Sequence, residues 1–187
     1  IRAIGGENNP DLKISVMADV GRTDFRRDIK PRSESVIDMV RVATYINTIP
    51  AALEIVEYCH ALGYETTVNI MAISNASIFD IDGALDMICQ SNADGLYLVD
   101  SYGSLYPEQI ARLTEKYLSY TEKAGKFLGI HAHNNQQLAF ANTIESMSIG
   151  ASYLDATVSS MGRGAGNCAM ELLLGFFKNP KFNISPI

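Results

Sequence analysis

One pattern recurs six times along the 187 residues and limits what the chain can fold into. A short apolar run leads into a polar loop, then an amphipathic stretch, then a glycine or polar turn. The apolar runs are KISVMAD (13–19), MVRVAT (39–44), TTVNIMA (66–72), GLYLVD (95–100), FLGIHAH (127–133) and SYLDAT (152–157). Helical patterns fill the gaps: PAALEIVEYCHALG, IDGALDMICQSN, PEQIARLTEKYLSYTEKAG, QQLAFANTIESMSIG and NCAMELLLGFFK. Pro50 and Pro107 sit where a first helical turn tolerates proline. Gly63, Gly125 and Gly150 sit just past helix ends, where a left-handed cap is wanted. Strands alternating with helices at this spacing predict βα units and a parallel sheet. The strands are apolar almost throughout, as a sheet covered on both faces requires.

Two architectures use such units, the doubly wound open sheet and the (β/α)8 barrel. An open sheet gathers its functional groups at one switch point. A barrel converges every C-terminal strand end on one mouth. Here all six strands end in chemically capable residues: Asp19, Thr44, Asn69 with Met71, Asp100, His133, and Asp155 with Thr157. The α/β barrel of TIM type is therefore expected, as a single domain over residues 1–187. Six units are two short of eight, and barrels usually need about 250 residues. The chain is thus expected to carry about strands three to eight, without the first two βα units. Its two open sheet edges favour a homo-oligomer.

Composition removes some function classes. Hydrophobic residues make up 47%, charged residues 19%, and the net charge is −6. A mildly acidic globular surface argues against nucleic acid or an anionic membrane as partner. No apolar run approaches the roughly 18 residues of a membrane span. Cys59, Cys89 and Cys168 are odd in number and widely spaced, which fits a reducing, cytoplasmic setting.

Three segments carry candidate chemistry. In GIHAHNN (129–135), His131 and His133 are two apart on a strand and so share a face. Two imidazoles there can share a divalent metal, or be buried histidines satisfied by hydrogen bonds. In MGRGAGN (161–167), alternating glycines let backbone approach a ligand, and the loop opens a helix whose N–H groups could meet an anion. Asn167 offers a hard carbonyl oxygen, or caps that helix. In VDSYGS (99–104), Asp100 and Ser101 leave the sheet toward the mouth. Ser101 could bind a substrate carboxylate and Asp100 could hold a histidine or arginine, or the pair could simply form a turn. His60, late in a helix, reads as structural.

The stretch GIHAHNNQQLAFANTIESMSIGASYLDATVSSMGRGAGN (129–167) closely resembles the signature of the HMG-CoA lyase-like superfamily of metal-dependent (β/α)8 lyases and synthases. MVRVAT and LYLVDSYGSLYPEQI look most like its 4-hydroxy-2-oxovalerate aldolase branch. The resemblance implies a divalent metal, Mn2+ or Mg2+, on His131, His133 and Asn167, with Ser101 on the substrate carboxylate. Asp100 and Arg41 join Ser101 as expected substrate contacts. The implied reaction is retro-aldol cleavage of a 4-hydroxy-2-oxo acid to pyruvate and an aldehyde, and the resemblance allows an aldehyde dehydrogenase as partner. Claisen-type acyl-CoA lyase or synthase chemistry, or a barrel without chemistry, are the alternatives. The family's first metal ligand is an Asp of an Arg-Asp motif on strand one, a strand expected to lie outside this sequence, and no general base is assigned. MGRGAG also lacks the cysteine of the HMG-CoA lyases, and Arg163 stands where the aldolases have a small residue.

Overall fold

The computed structural model describes residues 12–177. Six strands alternate with helices: β1 (Ser15–Asp19), α1 (Phe25–Asp28), β2 (Met39–Tyr45), α2 (Ile49–Ala61), β3 (Glu65–Met71), α3 (Ile78–Cys89), β4 (Gly95–Asp100), α4 (Pro107–Thr121), β5 (Phe127–Ala132), α5 (Ala139–Ile149), β6 (Tyr153–Leu154) and α6 (Met170–Phe176). All the pairings are parallel and the strand order follows the sequence, β1 to β6. Right-handed crossovers between strands in sequential order put all the helices on one face, as in a barrel. A doubly wound sheet would reverse its order at a switch point.

The proline and glycine signals act as expected. Pro50 and Pro107 lie in the first turns of α2 and α4. Gly63 (φ 89°) and Gly125 (φ 66°) take left-handed backbone just past α2 and α4. One strand is shorter than expected and one connection carried no prediction. Between β1 and β2, where no helical pattern is read, the chain forms only the four-residue α1 and a 3-10 turn at Arg32–Glu34. The ladder of β6 covers two residues, because the chain beyond Leu154 leaves it and bridges to the segment before α6, Thr157 pairing with Ala169.

Side-chain parity sorts the sheet into two layers. Even-numbered strand residues, among them Val40, Val42, Val68, Ile70, Leu96, Leu98, Leu128 and Ile130, face the helices and form the core with Ile55, Val56, Leu85, Ile88 and Ile110. Each such side chain contributes about 1.5–3 kcal/mol by leaving water. Odd-numbered residues line the concave side: Met17, Arg41, Thr67, Asn69, Tyr97, Gly129, His131 and Asp155.

One ion pair shows how strongly the sheet curls. Arg41 on β2 and Asp155 just past β6 meet at 2.6 Å. They are four strands apart, and a flat sheet would separate them by about 19 Å, beyond the reach of both side chains extended. The strands therefore bend around a common axis, with polar side chains on the inside.

Candidate metal and substrate site

The inner layer decides which side chains share one space. His131 lies in the last two residues of β5 and His133 just past its end, two positions apart, so both imidazoles project inward. Their Nε2 atoms are 3.4 Å apart and the rings cross at 75°. They line a cavity of about 480 Å3 together with Arg41, Asn69, Met71, Ser101, Asp155, Arg163 and Asn167.

His131 Nδ1 lies 2.8 Å from Asp155 Oδ2. A carboxylate oxygen only accepts, so Nδ1 carries the hydrogen and the lone pair of the neutral ring sits on Nε2. Arg41 donates to both oxygens of the same carboxylate, Nη1 at 3.1 Å and Nη2 at 2.6 Å. Behind it, the Arg41 guanidinium stacks 4.0 Å from the centre of the Tyr97 ring. Gly129 leaves room for that ring, since a Cβ there would strike it.

The electrostatics follow from these contacts. Burial opposes a charge on Asp155, but the hydrogen bonds from His131 and Arg41 outweigh it and hold the carboxyl below its usual range. Burial, then the neighbouring His131, lower the pKa of His133 and favour the neutral ring that a metal ligand needs.

Asn167 closes the glycine loop and forms an antiparallel bridge with His133. Its Nδ2 donates to the Met161 carbonyl at 3.0 Å, while its Oδ1 is buried with no partner. A buried acceptor left unpaired costs about 1–3 kcal/mol. A cation at the histidine pair suits these donors. The 3.4 Å between the Nε2 atoms is what two nitrogens span when each lies about 2.1 Å from one ion. Among the described residues, no three His, Cys, Asp or Glu gather around one point, so the two histidines and Asn167 supply part of a coordination sphere.

The other expected residues divide. Ser101 lines the cavity, and its Oγ accepts from the Ala72 amide at 2.9 Å. That leaves its own hydrogen free to be donated inward. Asp100 is absent from the cavity wall. It is fully buried and faces the helix layer, where it accepts from the amides of Ser104 (3.2 Å) and Leu105 (3.1 Å). Asp100 thus anchors the turn and holds no histidine or arginine side chain, because its even position on β4 points it away from the cavity. Arg41 lines the cavity, and each of its terminal nitrogens gives one hydrogen bond to Asp155.

The glycine loop does not run directly into α6, whose N-cap is Ala169. Asn167 therefore does not cap that helix. The glycines serve the loop's own packing: at Gly166 (φ 90°) a Cβ would collide with the Ser160 carbonyl. Among the described residues, the non-glycine residues with positive φ are Ala72, Gln137, Ser159 and Ser160, all in loops at the cavity end of β3, β5 and β6. Strained backbone of this kind gathers at functional sites. His60 is exposed, and Cys168 is buried outside the cavity wall.

Sequence reasoning reached Asp155 only as a strand end and missed its place beside His131. The register pairs Ile130 with Leu154, which sets the next residues, His131 and Asp155, side by side.

Comparison with known proteins agrees with this geometry. The model of the HMGL-like family matches residues 9–183. The 4-hydroxy-2-oxovalerate aldolase of Geobacillus thermodenitrificans is 30% identical over 79% of this chain and 42% of its own length. The 4-hydroxy-2-oxovalerate aldolase 2 of Salinispora arenicola is 28% identical over 86% of this chain and 45% of its own. The chain thus spans less than half the length of these relatives. The crystal structure of hydroxymethylglutaryl-CoA lyase from Pseudomonas aeruginosa superposes with a TM-score of 0.74 over 90% of this chain and 63% of that one. At 16% identity, that likeness concerns the TIM-barrel type of fold alone.

Proposed function

The chain belongs to the HMGL-like family, and on that premise we propose that it acts as a divalent-metal-dependent aldolase that cleaves a 4-hydroxy-2-oxo acid to pyruvate and an aldehyde. The observation that carries this reading is the histidine pair with the unpartnered Asn167 Oδ1 beside it, all on one cavity. His131, His133 and Asn167 would hold Mn2+ or Mg2+, hard ions that the Asn167 carbonyl oxygen suits. When bound, such an ion supplies Lewis-acid stabilisation of the negative charge that develops on the 2-oxo acid.

The chain's own residues do the rest. The Ser101 hydroxyl, anchored by the Ala72 amide, donates its hydrogen to the substrate carboxylate and orients it. Met17, Met71 and Val99 give the cavity an apolar wall that suits the aldehyde portion. The bond between C3 and C4 breaks as the 4-hydroxyl proton leaves to a base, and C3 keeps the electron pair and then takes a proton to give pyruvate. Asp155 lies at the cavity but its oxygens are already engaged, so it is not assigned as that base. The acyl-CoA alternative gains nothing from Cys168, which is buried off the cavity wall.

The test is pyruvate release from 4-hydroxy-2-oxopentanoate with Mn2+. His131→Ala is expected to lower the rate by at least roughly 100-fold, more than the loss of an outer partner of a metal ligand costs. Release of pyruvate no faster than by His131→Ala would overturn the reading.

A further inference from the structure

We infer that Arg41 and Asp155 are positioning residues: together they lock His131 in the tautomer that offers Nε2 to the cavity. This deepens the proposed metal-dependent reading and rests on it for its catalytic consequence. Asp155 Oδ1 takes Arg41 Nη1, and Oδ2 takes both Arg41 Nη2 and His131 Nδ1. The Arg41 and Asp155 side chains are 15% and 19% exposed, so water competes weakly for these bonds. The two-pronged Arg41 contact fixes the plane of the carboxylate, and that plane aims Oδ2 at Nδ1.

Arg41 is itself held from behind. Its guanidinium lies on the Tyr97 ring, and the ring lies over Gly129. The contacts therefore run from Gly129 on β5 to Tyr97 on β4, Arg41 on β2 and Asp155 past β6, then return to His131, two residues along β5 from Gly129. A single surface ion pair could be lost at little cost. This circuit joins four strands and ends on a ligating ring. The hydrogen on Nδ1 leaves the Nε2 lone pair facing His133, the side on which a shared cation would lie.

The consequence for a substitution is specific. In Asp155→Asn, the Arg41 fork draws the amide oxygen, because Arg41 can only donate. The amide nitrogen then turns to His131 and donates to Nδ1, which moves the ring hydrogen to Nε2 and blocks the lone pair. An Asp-to-Asn change misplaces the tautomer in triad enzymes in the same way.

Nitrogen-15 spectra of the metal-free protein read the His131 tautomer directly, and electron paramagnetic resonance titration reads Mn2+ affinity. The wild type is expected to show Nδ1–H, and Asp155→Asn to show Nε2–H with Mn2+ bound about 10- to 100-fold more weakly. Arg41→Lys, which keeps the charge without the fork, is expected to show a mixture of the two tautomers. A wild-type ring protonated on Nε2 would overturn the inference. So would a folded Asp155→Asn protein that binds Mn2+ within about twofold of wild type. If Asp155→Asn fails to fold by circular dichroism, the wild-type and Arg41→Lys tautomers decide. A wild type that shows Nδ1–H yet binds no Mn2+ would remove the metal reading while leaving the tautomer lock in place.

Discussion

Asp155 serves two partners with one carboxylate, and its acid behaviour should reveal it. Its folded pKa lies below the unfolded value, because the bonds from His131 and Arg41 outweigh burial. The stability it contributes is therefore present above about pH 4 and lost as pH falls through the lower folded value. Asp155→Asn should cost about 2–3 kcal/mol at neutral pH, the low side for a sheltered pair. Urea unfolding at pH 7 and pH 3 should show the difference from wild type shrinking in acid; an unchanged difference would contradict the assignment. Ser101→Ala should raise KM for the 2-oxo acid by roughly tenfold with a smaller change in kcat, as loss of a hydrogen bond worth about 1.4 kcal/mol predicts. At this scale much of the site is legible in the sequence. Period-two alternation places His131 and His133 together, and the same parity separates Ser101, which faces the cavity, from Asp100, which faces the helices. The partnership of His131 with Asp155 depends on strand register and curvature, which no local pattern encodes.

The elements carry the site through their ends. β5 delivers the histidines, and the loop between β6 and α6 folds back so that Asn167 bridges to His133. That loop depends on Gly166, where positive φ and the Ser160 carbonyl both exclude a side chain. Gly166→Ala should destabilise the protein by about 1–3 kcal/mol and weaken Mn2+ binding with it, measured by thermal melting and metal titration. On the opposite side of the sheet, Leu98→Ala should cost about 2–5 kcal/mol in a denaturant melt and leave the tautomer of His131 unchanged, because Leu98 packs only into the helix layer. The alternation of strands and helices is readable from apolar periodicity and from Pro50, Pro107, Gly63 and Gly125. The two-residue β6 is not, since tertiary pairing ends that segment: Thr157 leaves the sheet to meet Ala169.

As a whole, the molecule is a curved parallel sheet with a hydrophobic layer outside and a polar layer inside. Curvature turns residues 114 apart in sequence, Arg41 and Asp155, into neighbours. Among the described residues, β1 pairs only with β2, and its Val16 and Met17 are exposed. Sheet edges of this kind favour self-association, so a homo-oligomer is proposed, and light scattering should return a mass above the 20.4 kDa of one chain. The central claim is that the inward histidines and Asn167 hold a divalent cation in the cavity. Anomalous diffraction from crystals soaked in Mn2+ tests it most directly. The account predicts one strong peak within bonding distance of His131 Nε2 and His133, with Asn167 Oδ1 turned toward it. A fully occupied Mn2+ elsewhere, with no peak between the two histidines, would contradict it.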